Sequence, residues 1–449
     1  MDNNIYDTEK QLEKYIKNNA DGQILVLSSE LKLFYLKTIV NSQYISENIK
    51  KFYFESIINF EQYIYSISEP NLTTDIDSIL FKLMEGYVIA LYKGKFFAIP
   101  EASKRENRGL YELTTEASFE GGTESFVEET NLNLNLVRKY YRNSNLVVSS
   151  YTVGTLANSK LSILYDSKLV NQDILKTLVE RVENIDIPVI QSLNELQQIL
   201  WQHQLLIPKL MVTQRPDRAI KNLTLGKILL FLDGTPTVLI LPVCFHDFLT
   251  TVDDTYLLPI PASFIIALRY FGLILSLILP AAYVAVTAYN PEIVKVQLAL
   301  SITSSRNGVP YPAFIEVGIM LLLMEFLVEA SLRLPKSIGQ AATTVGGLIL
   351  GQAAIQANLV SNIMIMIIAT VAISNFTIPV TSMNLTVRVS KYIMLILACF
   401  AGTAGIYMGF FYMSLYIFSI KTFNTEYFNP IDKLSFKKLK SFINKGDKS

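Results

Sequence analysis

The sequence predicts an α+β/α membrane protein, in which an N-terminal soluble α/β region of two lobes is followed by a C-terminal helical transmembrane domain. Charge changes along the chain: Asp, Glu, Lys and Arg are frequent up to about Asp254, whereas the 51 residues from Ser337 to Val387 contain none of them and no His. About 20 apolar residues suffice to cross a bilayer, so this stretch exceeds one span. Two β-hairpin patterns in the charged half indicate sheets there. The N-terminus is polar and acidic, which predicts no signal peptide and a cytoplasmic α/β region.

The sheets are predicted from two similar segments. Residues 86–100 and 226–242 each place apolar, β-prone residues on both sides of a turn dipeptide, Lys93-Gly94 in the first and Asp233-Gly234 in the second. In both segments a Gly precedes the turn Gly by eight positions, and the segments start 140 residues apart. Two related lobes or two unrelated hairpins would both produce this pattern.

Further elements of the α/β region follow from periodicity and turn residues. Residues 127–139 have helix-favouring charged ends around an Asn-Leu alternation, so a helix and a strand both stay open there. Residues 161–190 predict a strand, a turn, an amphipathic helix and a second strand, in the order of an α/β unit. Arg215-Pro216-Asp217 and Asp233-Gly234 predict turn and helix-cap chemistry, with a functional contact as the alternative.

These patterns predict four parts of the chain. Residues 1–40 form a variable N-terminal segment, 41–258 the cytoplasmic two-lobed α/β domain, 259–420 the helical membrane domain, and 421–449 a Lys-rich tail. The tail holds seven Lys against three acidic residues, which favours a cytoplasmic flank or a contact with anionic membrane lipid. A solvated, disordered tail is the alternative.

Four spans are predicted in the membrane domain, at residues 264–288, 314–332, 359–380 and 392–414. Residues 338–357 are rich in Gly, Ala, Thr and Gln, so they form either a fifth span or a re-entrant segment buried among the other helices. Four spans leave the Lys-rich tail inside the cell, whereas five spans put it outside. The positive-inside rule therefore favours four.

Three glutamates in the second predicted span are the main candidate functional residues. Glu316 lies in an early turn, where the plainer role is an interfacial cap on the helix dipole. Glu329 precedes Arg333 by four residues, which predicts an ion pair. Glu325 lies near the middle of the span, where a charge costs roughly 2.5–3.5 kcal/mol on insertion scales. No basic residue lies within five positions of it, so it must face a partner, be protonated or line water. A role in a cation path competes here with a buried structural hydrogen bond.

Cysteine and histidine, which many catalytic and metal sites use, are scarce, and no enzyme is predicted. The only cysteines are Cys244 and Cys399, and the only histidines are His203 and His246. Neither a disulfide framework nor a metal-ligand spacing is available, and the sequence has no P-loop, GxGxxG or GxSxG motif. We therefore expect no cofactor and no nucleic-acid partner. A secondary transporter and a non-conducting scaffold are the alternatives to a channel.

Four ordered motifs between residues 305 and 379 read GVPYPAFIE, EASLRLPKSIGQA, GGLILGQAAIQANLVS and ISNFTIP. The soluble region adds ESFVEE, NLNLVRK, VTQRPD and FLDGTPTVLILP. Together they closely resemble the A subunit of the GerA-type nutrient germinant receptors of endospore-forming bacteria. The chain departs from that pattern where the family usually has an acid or an Arg, at Leu321 and Val328 respectively. It departs further at Gln214, Ser331, Glu120 and Gly122.

The resemblance implies a function and a set of residues. Such an A subunit is expected to be a multi-pass protein of the spore inner membrane, beside a transporter-like, germinant-sensing B subunit and a lipoprotein C subunit. It is expected to oligomerise into a channel that releases monovalent cations in response to a germinant. The candidate ion path then comprises Glu325, Glu329, Glu316, Gln340, Thr344 and Gln352. The candidates for close helix packing or a hinge are Gly346, Gly347 and Gly351.

Overall fold

The computed structural model describes residues 3–55, 59–69, 75–103, 122, 124–201, 206–423 and 425–428. The chain forms two compact units: unit 1 contains Met1–Gln204 and Leu210–Val243, and unit 2 contains Leu205–Lys209 and Cys244–Ser449. Unit 1 mixes helices and strands, whereas the long elements of unit 2 are helices. The predicted order of a mixed α/β region followed by a helical region is therefore confirmed.

The strands of unit 1 form two antiparallel sheets. The first sheet has the order β1-β2-β3-β4, with β1 (Gly22–Val26), β2 (Leu31–Leu36), β3 (Val88–Tyr92) and β4 (Lys95–Ile99). The second sheet has the order β5-β6-β8-β9-β7, with β5 (Leu146–Val153), β6 (Ser159–Asp166), β7 (Met211–Thr213), β8 (Ile228–Leu232) and β9 (Val238–Leu241). Every residue of β3 and of β8 is buried, as expected for inner strands covered on both faces.

Both predicted hairpins are present, one in each sheet. β3 pairs with β4 from Val88↔Ile99 to Tyr92↔Lys95, and Lys93 and Gly94 form the turn between them. Both turn residues have positive φ, +47° and +78°, which the tightest hairpin turns require. β8 pairs with β9, and Gly234 in the connecting loop has φ +83°.

The first sheet begins at Gly22, within the segment 1–40 that the sequence predicts as separate from the two-lobed α/β domain. β1 and β2 pair with each other, and β2 then pairs with β3. Leu12 and Ile16 of the first helix are buried in the same hydrophobic core as Leu33 and Leu83. Residues 3–40 are therefore an integral part of unit 1, because their apolar side chains complete its first core.

The helices of unit 1 are α1 (Asn3–Lys17), α2 (Ser42–Tyr44), α3 (Lys51–Glu55), α4 (Phe60–Ile67), α5 (Ile76–Met84), α6 (Thr130–Tyr140), α7 (Gln172–Glu183), α8 (Leu193–Leu200) and α9 (Pro216–Thr224). The ambiguous Asn-Leu alternation forms α6, a helix. Its Asn133 side chain bonds both the N–H and the C=O of Val127, which holds the approach to the helix. The second strand predicted between residues 185 and 190 is wrong, because that segment is irregular and the sheet is antiparallel throughout.

The helices of unit 2 are α10 (Pro259–Ala288), α11 (Val296–Ser305), α12 (Ala313–Arg333), α13 (Lys336–Gln356), α14 (Asn362–Phe376) and α15 (Thr381–Ser419), followed by the short strand pair β10 (Lys421–Thr422) and β11 (Thr425–Glu426). The tail from residue 429 onwards lies outside the described residues. α10 packs closely on α14: Ser276 donates to the Asn375 side chain. A Cβ added at Gly272 would lie 2.6 Å from Thr377 Oγ1.

Residues 338–357, predicted as either a fifth span or a re-entrant segment, belong to a continuous helix up to Gln356. Only Leu334 and Pro335 separate α12 from α13, and each of these helices has 21 residues. The proline ends the preceding helix and suits the start of the next one. Leu327 of α12 lies against Gly346 of α13, so the two helices pack side by side as a helical hairpin.

α15 reverses direction at Gly402. This glycine has φ +57° and ψ −133°, outside the helical region. A Cβ added at Gly405 would lie 2.1 Å from the Leu397 carbonyl oxygen, and one at Gly409 would lie 2.6 Å from Met394 Sδ. Along a straight helix Met394 and Gly409 would be about 22 Å apart. The single straight span predicted at 392–414 is therefore replaced by two helical halves that fold back on each other.

Among the described residues, α10 and α15 are long and apolar enough to cross a membrane, judged by length and composition, but the length of α15 includes both halves that fold back at Gly402. α14 is apolar but has only 15 residues. α12 and α13 have about the length of a bilayer core, roughly 31 Å at 1.5 Å per residue. These helices fit a membrane protein, and the number of spans stays a prediction.

Candidate functional site: a buried charged cluster in the helical unit

Glu325 lies near the middle of α12 and binds two cationic side chains of α15. Its Oε2 atom accepts hydrogen bonds from Arg388, with Nε at 2.8 Å and Nη2 also in contact. Its Oε1 atom accepts from Lys391 Nζ at 2.8 Å. Arg388 and Lys391 are three residues apart, which places them on the same face of the helix. We call Glu325, Arg388 and Lys391 the charged cluster.

The charged cluster is held away from solvent to different degrees. The side chain of Lys391 is 1% exposed, whereas those of Arg388 and Glu325 are 16% and 24% exposed. The Lys391 ammonium also lies 5.5 Å from the centre of the Tyr392 ring, a distance at which the ring face attracts a cation. An ionisable group in a membrane helix is expensive unless it pairs with another, so these contacts explain how Glu325 is tolerated.

Neither partner of Glu325 follows from the spacing of charges on its own helix, because both lie on α15. Arg388 and Lys391 are 63 and 66 residues away along the chain. One sequence signal pointed to them: Arg388 and Lys391 are the first two charged residues after the charge-free stretch from Ser337 to Val387. Opposite charges attract each other strongly in a low-dielectric interior. Arg388 and Lys391 are therefore natural partners for Glu325.

A small cavity adjoins the charged cluster. Its volume is about 40 Å³, and a water molecule needs only about 10–15 Å³ of such volume. The lining includes the three cluster residues together with Asn375 and Asn384. The Asn384 Oδ1 atom is buried and has no hydrogen-bond partner among the described residues.

Glu316 is completely buried, so the prediction of an interfacial cap is wrong. Its Oε1 accepts from both the backbone N–H and the hydroxyl of Ser361, each at 2.7 Å. Its Oε2 accepts from the Tyr283 hydroxyl at 3.2 Å and lies 3.4 Å from Arg306 Nε. Ser361 is the N-cap residue of α14. Glu316 therefore ties α12 to α10 and to the start of α14.

Glu329 is exposed and forms the predicted ion pair. Its Oε1 accepts from Arg333 Nη2 at 2.8 Å and from Nε at 3.2 Å. The four-residue spacing on one helix face is sufficient to explain this pair. Glu329 and Glu325 therefore have separate partners, although they lie one turn apart.

The polar candidates on α13 are Gln340, Thr344 and Gln352. Thr344 and Gln352 are exposed, and Gln340 lies in the first turns of the helix. A Cβ added at Gly346, Gly347 or Gly351 would lie 3.7–3.9 Å from the nearest atom, which is ordinary van der Waals contact. The helix continues through all three positions, so neither a hinge nor an unusually close approach requires glycine in this arrangement.

In unit 1 the Arg-Pro-Asp motif has the predicted cap chemistry. Pro216 occupies the first turn of α9, where its missing N–H costs nothing. Asp217 Oδ1 accepts from the Arg218 N–H at 2.7 Å, and Asp217 Oδ2 accepts from Arg215 Nη2 at 2.7 Å. The Arg215 side chain is buried by this fork, so the motif fixes the entry to the helix.

The Asp-Gly turn has a similar structural role. Asp233 Oδ1 accepts from the N–H of Thr130, at the first turn of α6, at 3.3 Å. The Gly234 N–H donates to the Glu128 carbonyl at 3.0 Å. The turn of one hairpin therefore orients the start of a helix about a hundred residues earlier in the chain.

A second buried ion pair, which the sequence analysis did not identify, lies in unit 1. Arg138 donates to both carboxylate oxygens of Asp21, at 3.1 and 2.8 Å, and to Asn19 Oδ1 at 3.3 Å. Asp21 also accepts from the Thr38 hydroxyl at 2.6 Å. Burial alone would lower the pKa of Arg138, but the neighbouring Asp21 carboxylate outweighs it and raises that pKa. The pair links α6 to Asp21, which directly precedes β1 of the first sheet.

Known proteins resemble this chain over most of its length. The family model described as Bacillus/Clostridium GerA spore germination protein matches residues 10–447. The chain belongs to the GerA spore germination protein family. This GerA-family chain is 33% identical to spore germination protein KA of Bacillus subtilis (strain 168) over 361 residues, which cover 80% of the chain and 66% of that relative. It is 32% identical to spore germination protein GerQA of Bacillus cereus over 403 residues, 88% of the chain and 81% of the relative.

Among solved structures, the chain is similar to the crystal structure of the N-terminal domain of the A subunit of the Bacillus megaterium spore germinant receptor GerK3. The match has 22% identity and a TM-score of 0.38, and it covers 53% of this chain and 94% of that domain. The spore germination proteins KA and GerQA each match most of the length of this chain.

Proposed function

We propose that this chain is the A subunit of a nutrient germinant receptor and oligomerises into a channel for monovalent cations in the spore inner membrane. Family membership supports the process, spore germination. The observation that carries the channel is the charged cluster, in which two helices of the apolar unit are joined through a carboxylate and two cations. Such groups in membrane helices mark ion pathways more often than they serve packing alone.

The arrangement corresponds to a closed path. Both oxygens of Glu325 are occupied by Arg388 and Lys391, so the carboxylate is not free to bind a passing cation. Opening then requires α12 and α15 to separate at this contact, which exposes the carboxylate. The change is an exchange between two discrete arrangements of packed helices, as in other gated proteins.

The remaining parts of the receptor follow from the same proposal. The α/β unit lies in the cytoplasm, and α10, α12, α13, α14 and α15 make the chain a multi-pass protein. A germinant-sensing B subunit and a lipoprotein C subunit are its partners, and it acts without catalysis or cofactor. In this view the Lys-rich tail lies on the cytoplasmic side, near anionic lipid.

The test is cation efflux from spores after germinant addition, comparing wild type with Glu325→Gln and Glu329→Gln. The substitutions are chemically identical and one helical turn apart, but only Glu325 belongs to the charged cluster. We expect Glu325→Gln to change the efflux rate at least tenfold, because two cations lose their shared carboxylate, and Glu329→Gln to leave it within about twofold.

Protein level and assembly with the partner subunits must be equal in the three strains. Equal efflux from wild type and Glu325→Gln under those conditions contradicts a gating role. It would favour the second candidate, a non-conducting scaffold, which the complete pairing of the Glu325 carboxylate also supports.

A further inference from the structure

The charged cluster contains one more cation than it needs for neutrality. Of the residues that line the adjoining cavity, the charged ones are Glu325 from α12 and Arg388 and Lys391 from α15, and α14 contributes none. One carboxylate and two cations leave a formal charge of +1. An excess charge in an apolar helical unit is costly unless a counter-charge is present.

Glu325 accepts from only some of the hydrogen-bond donors in the charged cluster. The carboxylate takes Nε and Nη2 of Arg388 and one N–H of Lys391. Within the described part of the chain, Arg388 Nη1 and two N–H groups of Lys391 therefore have no protein acceptor. Asn375 accepts from Ser276 through its Oδ1, so its amide nitrogen, a double donor, is also left. Lys391, Arg388 and Asn375 all line the same cavity.

We propose that this cavity binds one small inorganic anion of the halide class, held by Arg388, Lys391 and the Asn375 amide. The volume of about 40 Å³ accommodates a monatomic anion and one water molecule. The water molecule donates a hydrogen bond to the buried Asn384 Oδ1, which has no other partner among the described residues. A single negative charge brings the site to neutrality beside Glu325. The proposal rests on this geometry and does not depend on ion conduction by the chain.

The experiment measures thermal unfolding of the purified full-length protein in detergent. The salt is sodium chloride, sodium bromide or sodium gluconate at constant ionic strength, and unfolding is followed by circular dichroism. Gluconate is too large for a cavity of about 40 Å³. We expect chloride and bromide to raise the Tm in a saturable manner, because an ion that binds only the folded state stabilises it. Bromide also provides a direct count of bound ions by anomalous X-ray scattering.

Two variants should shift the dependence of the Tm on halide concentration in opposite directions. Arg388→Gln leaves a neutral Glu325–Lys391 pair, so the half-saturating halide concentration should rise about tenfold or more. Glu325→Gln leaves two cations without a carboxylate. Halide should therefore bind more tightly than in wild type and raise the Tm further. Arg333→Gln removes the same charge from the exposed pair with Glu329 and should behave as wild type.

Wild-type unfolding curves that coincide in halide and gluconate would overturn the proposal. So would an unchanged halide dependence in Arg388→Gln. If one variant does not fold, the wild-type salt comparison and the bromide count still decide the question. A failure of germinant-induced efflux in spores bears only on the proposed channel and not on this site.

Discussion

The two units each contain a buried ionic cluster, and the two clusters are built differently. In unit 1, Arg138 and Asp21 form one cation and one carboxylate, and Asn19 and Thr38 add hydrogen bonds to the pair, while Arg138 Nη1 is buried without a partner among the described residues. In unit 2, Glu325 is shared between two cations and adjoins a cavity of about 40 Å³. The first cluster is neutral, and its two charges pair with each other, so we call it the closed cluster; it suits a permanent link between α6 and the start of β1. The second has a surplus positive charge and an adjoining cavity, which suits a contact that opens or binds an ion.

The largest expected effect breaks the closed cluster. Arg138→Met leaves the Asp21 carboxylate buried without its cation, which costs about 3–5 kcal/mol. The measurement is urea unfolding of the full-length protein, followed by fluorescence of Trp201, the only tryptophan, which lies in unit 1. Arg142→Gln is the control, because Arg142 is half exposed in its pair with Glu85. A similar midpoint for the two variants would show that the Arg138 pair is not a structural link.

A second substitution tests the reversal of α15 in unit 2. Gly405→Ala places a Cβ where the Leu397 carbonyl leaves 2.1 Å, so the backbone must shift, at a cost of about 1–3 kcal/mol. Gly346→Ala meets its nearest neighbour at 3.7 Å and should stabilise α13 by up to about 1 kcal/mol. Thermal unfolding of the full-length variants by circular dichroism compares the two. Equal Tm values would argue against the helical hairpin at Gly402.

The smallest expected effect concerns a pair in unit 2 that resembles the closed cluster of unit 1. Burial raises the pKa of Asp254, but hydrogen bonds from Arg269 and from the Thr251 N–H outweigh it and lower that pKa below its usual value. A carboxyl whose folded pKa is lowered stabilises the protein above its unfolded pKa and loses that contribution as pH falls through the folded pKa.

The corresponding measurement is the Tm of the full-length protein between pH 7 and pH 3. Wild type should lose more stability in acid than Asp254→Asn, which lacks this titration. Glu426→Gln, an exposed carboxyl in the same unit, serves as the control and should follow wild type. Parallel curves for wild type and Asp254→Asn would mean that the pair with Arg269 does not contribute to acid sensitivity.

Local patterns accounted for much of the fold. Lys93-Gly94 predicted its hairpin because both residues adopt the positive φ that a two-residue turn needs. Glu329 and Arg333 predicted their ion pair because a spacing of four residues brings side chains together on any helix. The prediction that residues 3–40 lie outside the α/β domain is wrong. Local periodicity does not reveal the antiparallel partner strand fifty residues later in the chain.

The sequence by itself determined the division into a charged, mixed α/β half and an apolar helical half, the two hairpins, the cap chemistry of Arg215-Pro216-Asp217 and membership in the GerA family. Each of these depends on residue type and on spacings within one turn or one strand. The tertiary structure alone decided that Glu325 meets Arg388 and Lys391, that Glu316 is buried, and that the chain reverses at Gly402. These features depend on which helices pack together, and hydropathy carries no information about the direction or the partner of an apolar helix.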